Sequence, residues 1–203
     1  LLMKSLLLIF AKNPDLGKVK TRLAKTIGDK KTLGIYQALL HHTLEISASI
    51  EADKKILFTH RPEAHDLIEK YQYQQDIQIG DDLGARMGYA VKNGFEQGYQ
   101  KIVLIGSDLF DVESADLLNA FEALDTYDAC IGPAEDGGYY LLGLSFWDQS
   151  LFENKDWGTD QVLAQTLNDL SSKSLLLLDE KNDIDTIDDL KNSPKLVALL
   201  NTL

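Results

Sequence analysis

The chain has 203 residues, 44% of them hydrophobic, enough to bury a full core and most simply read as one domain over 1–203. Its 32 acidic side chains against 20 Lys and Arg give a formal net charge of -12, which excludes nucleic-acid binding through a general basic surface and confines any anion site to a local basic pocket. The single Cys130 excludes an internal disulfide and a clustered thiolate metal site, which suits a reducing cytoplasm.

The first ten residues are apolar, but too short to span a membrane, and they carry neither a basic leader nor a small-residue cleavage site. They read as a first strand, with Met3 a candidate natural start behind Leu1 and Leu2. The run at 6–11 is expected to be a central strand, and the polar segment with Pro14 and Gly17 a loop. Over 29–49, Leu33, Tyr36, Leu40 and Leu44 recur at helical spacing beside Leu39, which predicts a long helix with one buried face. Residues 55–59 predict a second strand and 63–71 a second helix. Ile77 and Ile79 mark a brief third strand before Gly80, and Leu83, Met87, Val91 and Phe95 a helical face that Gly98 ends. The β-branched run at 101–106 predicts a buried strand that stops at Gly106 and delivers Asp108 at its carboxyl end. Leu117, Phe121 and Leu124 follow as a helix. Strands at 128–132 and 139–144 are separated by a segment too short for a parallel crossover, so an antiparallel element is expected there. Val162, Leu163, Thr166 and Leu170 predict a late helix, 175–178 a last strand and 196–203 an amphipathic terminal helix. This alternation implies an α/β fold with a mainly parallel sheet covered on both faces.

Four cations, Lys12, Lys18, Lys20 and Arg22, fall just after the first strand of an otherwise acidic chain. With Gly17 to admit close backbone approach and a helix start to follow, they suit the phosphates of a nucleotide; the same composition also describes a solvated basic turn. The segment is neither a Walker loop nor the dinucleotide Gly fingerprint. Asp108 lies where ligands of open α/β sheets bind, and its carboxylate suits a hard divalent cation such as Mg²⁺ or Mn²⁺, although an Asp after a strand also forms turns and caps helices. Asp111 reads as a residue that caps or precedes the helix near Ser114. Gly137 and Gly138 make a turn through which a substrate can approach the backbone, with Asp136 beside it; a plain hairpin turn reads the same way. In the run 182–190, Thr186 and Asp189 form a helix-start pattern that accounts for Asp188 and Asp189 but not for Asp185. The four His residues, 41, 42, 60 and 65, lack a metal-ligand spacing, and Trp157 suits either a lid over substrate or a buried wall.

Taken together, Lys12-x-Pro14-x-x-Gly17-x-Val19-Lys20-Thr21-Arg22-Leu23, Asp82-Leu-Gly-x-Arg86-Met87, Gly106-Ser-Asp108, Gly132-Pro-x-x-Asp136-Gly-Gly-Tyr139, Trp157-x-Thr159 and Asp185-Thr186-x-x-Asp189-Leu190 resemble a bacterial transferase family named for its association with radical-SAM proteins. That family is similar to nucleotide-diphospho-sugar transferases and, more distantly, to molybdopterin and phospholactate nucleotidyltransferases. The resemblance implies a single-domain glycosyltransferase-A (Rossmann-like) three-layer sandwich. It implies a metal on Asp108 and Asp185, and phosphate contacts from Lys12, Lys20 and Arg22, with Gly17, Lys18 and Arg86 as further candidates. Lys20 and Asp108 then carry the catalytic role, and Asp136, Gly137, Gly138, Tyr139 and Trp157 form a substrate wall. The partners implied are a nucleoside triphosphate or nucleotide-sugar donor and a small-molecule acceptor. Relatives often place Cys-Pro after the Ser-Asp where this chain has Leu109-Phe110, so a differently shaped loop is expected beyond Asp108. Two function classes follow: a metal-dependent glycosyl- or nucleotidyltransferase, and a nucleotide-binding module that retains the fold without turnover.

Overall fold

The computed structural model describes residues 4–203; the reading of Met3 as a start, with Leu1 and Leu2, lies outside the described residues. Seven strands form one sheet: β1 (Ser5–Ala11), β2 (Asp53–Phe58), β3 (Gln74–Ile77), β4 (Lys101–Gly106), β5 (Ala129–Pro133), β6 (Tyr139–Leu144) and β7 (Leu175–Leu177). Their spatial order is β3-β2-β1-β4-β6-β5-β7. All pairings are parallel except those of β6, which runs antiparallel to both β4 and β5. The short turn between β5 and β6 therefore has the consequence expected of it.

Helices cover both faces: α1 (Thr21–Ile27), α2 (Asp29–Ser47), α3 (Asp66–Lys70), α4 (Leu83–Glu96), α5 (Ser114–Ala123), α6 (Val162–Asp169), α7 (Ile187–Lys191) and α8 (Pro194–Leu200). Alternation along β1 sends Leu7 and Ile9 into the layer with α2, α3 and α5, where they meet Leu40, Leu44, Ile68 and Leu117. Leu6, Leu8 and Phe10 point the other way, to Met87 and Val91 of α4. A smaller core, built on Leu23, Ile35, Leu39, Ile184, Leu190 and Leu196, ties α1, α2, α7 and α8 together. Burying each such aliphatic side chain stabilises the fold by about 1.5–3 kcal/mol relative to leaving it in water.

Several details differ from expectation, among them the terminal helix, which spans Pro194–Leu200 and not 196–203 because Ser193 caps it and Pro194 opens it. The second helix is shorter than 63–71, because His65 caps it by accepting from the Leu67 amide and the preceding loop is committed to contacts with residues 13–15. The third strand ends at Ile77, and both Ile77 and Ile79 are exposed at the sheet edge. Of the two roles expected of Asp111, it precedes α5 and does not cap it: Glu113 and Asp116 form a reciprocal capping box, while Asp111 accepts from the Asn182 amide. A short 3-10 turn at Gln149–Phe152 carried no periodic signal. Cys130, inside the strand expected at 128–132, is fully buried in β5, and the helix-start pattern of Thr186 and Asp189 forms a capping box.

Candidate functional site

Strand β1 lies between β2 and β4, so the crossovers diverge on either side of it and leave a crevice at the carboxyl ends of β1 and β4. Phe10 pairs with Gly106 in register, which makes the loops carrying Lys12 and Asp108 leave the sheet side by side. The Tyr36 hydroxyl, supplied by α2 and fully buried, joins them. It accepts from the Lys12 amide (2.8 Å), lies 2.9 Å from the Lys12 carbonyl oxygen and 3.3 Å from Ser107 Oγ. Burial and the nearby Asp108 charge push its pKa upward, so it remains a neutral phenol.

Asp185 arrives from the far end of the chain. The segment after β4 pairs with the segment before α7: Leu109 bridges Asp183 in antiparallel fashion, and the Ile184 amide donates to the Asp108 carbonyl at 3.1 Å. Two carboxylates separated by 77 positions in sequence thus face one another across a single cation. Lys20 Nζ lies 2.6 Å from Asp185 Oδ1 and 3.0 Å from Asp108 Oδ2. Lys20 is buried at the start of α1 in a left-handed conformation (φ 44°), which turns its side chain out of the helix path and into the site. Burial opposes its charge, but the two carboxylates outweigh burial and hold its pKa above the usual lysine value. Arg22 is largely exposed, with Nη1 3.8 Å from Asp185 Oδ2.

A cavity of about 550 Å³ opens beside this cluster. Of the expected site residues, Lys12, Arg86, Asp108, Asp136, Gly138, Tyr139, Trp157 and Asp185 line it. An adjoining recess of about 210 Å³ is lined by Lys12, Lys20, Arg22, Asp108 and Asp185, so the two spaces share Lys12 and both carboxylates. Gly17, Lys18 and Gly137 line neither. Gly17 has φ 72° and helps turn the loop, where the Lys18 amide donates to the Asp15 carbonyl. Gly137 has φ 86°, and a Cβ there would come within 2.5 Å of the Asp160 backbone, so its glycine serves the turn and the seat of α6. Arg86 donates through Nε to the Gly80 carbonyl at 3.0 Å. Asp136 accepts from the Gly138 amide at 2.9 Å. Tyr139 packs its ring against the α4 face of the sheet, and its hydroxyl is buried without a hydrogen-bond partner among the described residues. Leu109 is buried, and the Phe110 ring lies tilted against the His42 ring with centroids 4.7 Å apart, so side-chain packing shapes the loop that departs from Cys-Pro.

Several site residues carry no clear mark in the sequence. Asp183 lines both spaces; burial, reinforced by Asp185, raises its carboxyl to about 6. Its signal was available: Asp183 and Asp185, two apart in an extended segment, share a face. Asn13 is buried and clamps the basic loop to the β2–α3 loop. Its Oδ1 accepts from Thr59 Oγ1 (2.8 Å) and the His60 amide (3.0 Å), and its Nδ2 donates to Arg61 O (2.8 Å) and Glu63 Oε1 (2.6 Å). Arg61 adds a two-pronged pair to Asp15 at 3.1 and 2.6 Å.

Among the described residues no three His, Cys, Asp or Glu side chains converge as a metal cage, and no helix is long and apolar enough to cross a membrane. The donor set nonetheless fits Mg²⁺ or Mn²⁺, which take one or two carboxylates and complete their shells with phosphate oxygens and water. Asp108 and Asp185 are each a little over a third exposed, and each keeps one carboxylate oxygen beyond the contact with Lys20.

Comparison with known proteins is consistent with this architecture. A Desulfovibrio desulfuricans G20 protein described as a candidate nucleotide-diphospho-sugar transferase matches over 99% of this chain and 95% of its own, with 36% identity and a TM-score of 0.86. A cytidylyltransferase from Leptospira borgpetersenii matches over 98% of this chain and 93% of its own, with 16% identity and a TM-score of 0.60. Glucosyl-3-phosphoglycerate synthase from Mycobacterium tuberculosis, solved with Mn²⁺, UDP and glucosyl-3-phosphoglycerate, covers 98% of this chain and 79% of its own at 9% identity and a TM-score of 0.58. The last two are likenesses of fold. No curated protein matches the sequence. Residues 43–159 match the family model described as an uncharacterized protein conserved in bacteria (DUF2064), and the chain belongs to that family.

Proposed function

We propose that the protein is a metal-dependent nucleotidyl- or glycosyltransferase. The observation that carries this reading is the convergence of Lys20, Asp108 and Asp185 at the junction of the two spaces at the sheet's carboxyl edge. In the larger cavity a nucleoside triphosphate or nucleotide-sugar lies beside β1, with its phosphates turned toward Lys12, Lys20 and Arg22, and a small-molecule acceptor lies against Asp136, Gly138, Tyr139 and Trp157. Mg²⁺ or Mn²⁺ held by Asp108 and Asp185 would supply Lewis-acid neutralisation of phosphate oxygens. In nucleotidyl transfer an acceptor oxygen bonds to the α-phosphorus, and the bond to the bridging oxygen of pyrophosphate breaks. In glycosyl transfer the acceptor bonds to the anomeric carbon and the bond to the nucleoside diphosphate breaks. Either way the departing oxygen takes the electron pair, and the Lys20 ammonium, held charged, is placed to stabilise the charge that develops there. Similarity to the transferases above supports the class. A cytoplasmic location and an association with radical-SAM proteins complete the proposal.

The test is calorimetry with each nucleoside triphosphate and several nucleotide-sugars, with and without Mg²⁺ or Mn²⁺, followed by turnover assays on an acceptor panel. Metal-dependent binding with turnover is expected, and Asp108→Ala should abolish the metal dependence. Charge reversal at Lys20 or Arg22 should weaken phosphate binding far more than reversal at Lys191, an exposed residue paired with Asp188. Tight binding without turnover assigns the protein to the binding-module class, and no metal-dependent nucleotide binding sinks the site assignment.

A further inference from the structure

Lys20 and a divalent cation have claims on the same two carboxylates. The Lys20 ammonium contacts Asp185 Oδ1 at 2.6 Å and Asp108 Oδ2 at 3.0 Å, and with Nζ between them it neutralises half of their combined charge. The side chain has little freedom to leave sideways: it is 4% exposed, and its left-handed backbone is fixed by the first turn of α1, where the Ala24 amide bonds the Lys20 carbonyl at 3.0 Å. The open direction is toward the recess of about 210 Å³ that Lys12 and Arg22 also line. An anion in that recess offers the ammonium a third partner of the same sign as the carboxylates.

Resting on the reading of the site as a metal-dependent transferase, we propose that Lys20 is a positioning residue that makes metal binding conditional on phosphate. Its ammonium holds Asp108 and Asp185 against a bare divalent cation, and diphosphate in the recess draws it off the carboxylates, so the metal binds as part of a metal–diphosphate unit. Lys20 thereby sets an order of assembly as well as stabilising charge. Thermodynamic linkage makes the coupling reciprocal: diphosphate tightens the metal by the factor that the metal tightens diphosphate.

The experiment measures Mn²⁺ binding to the full chain by calorimetry and electron paramagnetic resonance, with Mn²⁺ alone and with saturating inorganic pyrophosphate. Wild type is compared with Lys20→Met and Lys20→Gln. Removing the ammonium should raise affinity for Mn²⁺ alone by roughly tenfold or more, since one positive charge is lost within contact distance of both ligands. It should weaken pyrophosphate binding and shrink the enhancement of Mn²⁺ affinity by pyrophosphate, leaving only direct metal–phosphate contact. Equal affinity of wild type and a folded variant for Mn²⁺ alone overturns the proposal, as does an undiminished pyrophosphate enhancement. If the Lys20 variants fail to fold, wild type decides the question by itself: Mn²⁺ bound tightly and stoichiometrically without pyrophosphate overturns the proposal. If neither wild type nor variants bind Mn²⁺ under any condition, the metal-dependent reading itself fails, a result distinct from metal binding without coupling.

Discussion

Replacing Asn13 by alanine is expected to be among the more damaging single changes outside the hydrophobic layers. The side chain is 2% exposed and makes four hydrogen bonds, two accepted by Oδ1 and two donated by Nδ2. A net contribution of about 0.5–1.5 kcal/mol each gives an upper sum near 6 kcal/mol, but all four partner groups lie on the half-exposed β2–α3 loop and can return to water. The expected loss is therefore about 2–3 kcal/mol, read as a lower urea midpoint at unchanged slope in far-ultraviolet circular dichroism. Asn13→Asp provides the sharper comparison. It retains the acceptor contacts to Thr59 and the His60 amide but sets a carboxylate against Glu63, so it should destabilise at least as much as alanine. A loss under about 1 kcal/mol for both variants would refute the assignment of Asn13 as the clamp of the basic loop.

Tyr139→Phe should raise stability by about 1 kcal/mol, because it removes a buried hydroxyl that has no hydrogen-bond partner among the described residues; a lower thermal midpoint would mean that the hydroxyl is satisfied. Asp183 carries a pH signature of opposite sign to that of an ion-paired acid. Burial raises its carboxyl from 3.8 to about 6, so the folded chain binds this proton more tightly than the unfolded chain, and stability falls as pH rises through that window. Asp183→Asn removes the penalty. Its stability relative to wild type should therefore grow from pH 4 toward pH 7, measured by denaturation midpoints, and a difference flat with pH would contradict the burial of Asp183.

Much of the fold was legible because its signals are local. Strand β4 reads as a short apolar run stopped by a glycine, α2 as a 3.6-residue repeat, and the reversal at β6 follows from a turn too short for anything but an antiparallel pair. The site was legible only as fragments. Lys20, Asp108 and Asp185 each stood out, but nothing local to them dictates that one ammonium bridges two carboxylates, since that depends on the pairing of Leu109 with Asp183. Asn13 and Tyr36 escaped for the complementary reason. An Asn beside a Pro reads as a turn former, and a Tyr on a helical stripe reads as core; their polar atoms acquire meaning only from the loops that fold over them.

The supports of the site suggest why one of its two carboxylates comes from the middle of the chain and the other from near its carboxyl end. Asp108 rides on β4, a central strand locked between β1 and β6, and so inherits the rigidity of the sheet. Lys20 and Asp185 ride instead on α1 and the entry to α7, which the smaller core of Leu23, Ile35, Leu39, Ile184, Leu190 and Leu196 holds against α2. That core is the lesser of the apolar clusters and lies apart from the two sheet faces, so the motions open to Lys20 and Asp185 are set by fewer contacts than those open to Asp108. A site in which one carboxylate is fixed while the other and its ammonium share a softer mount can exchange one cation for another without disturbing the sheet. The exchange proposed for Lys20 requires that arrangement.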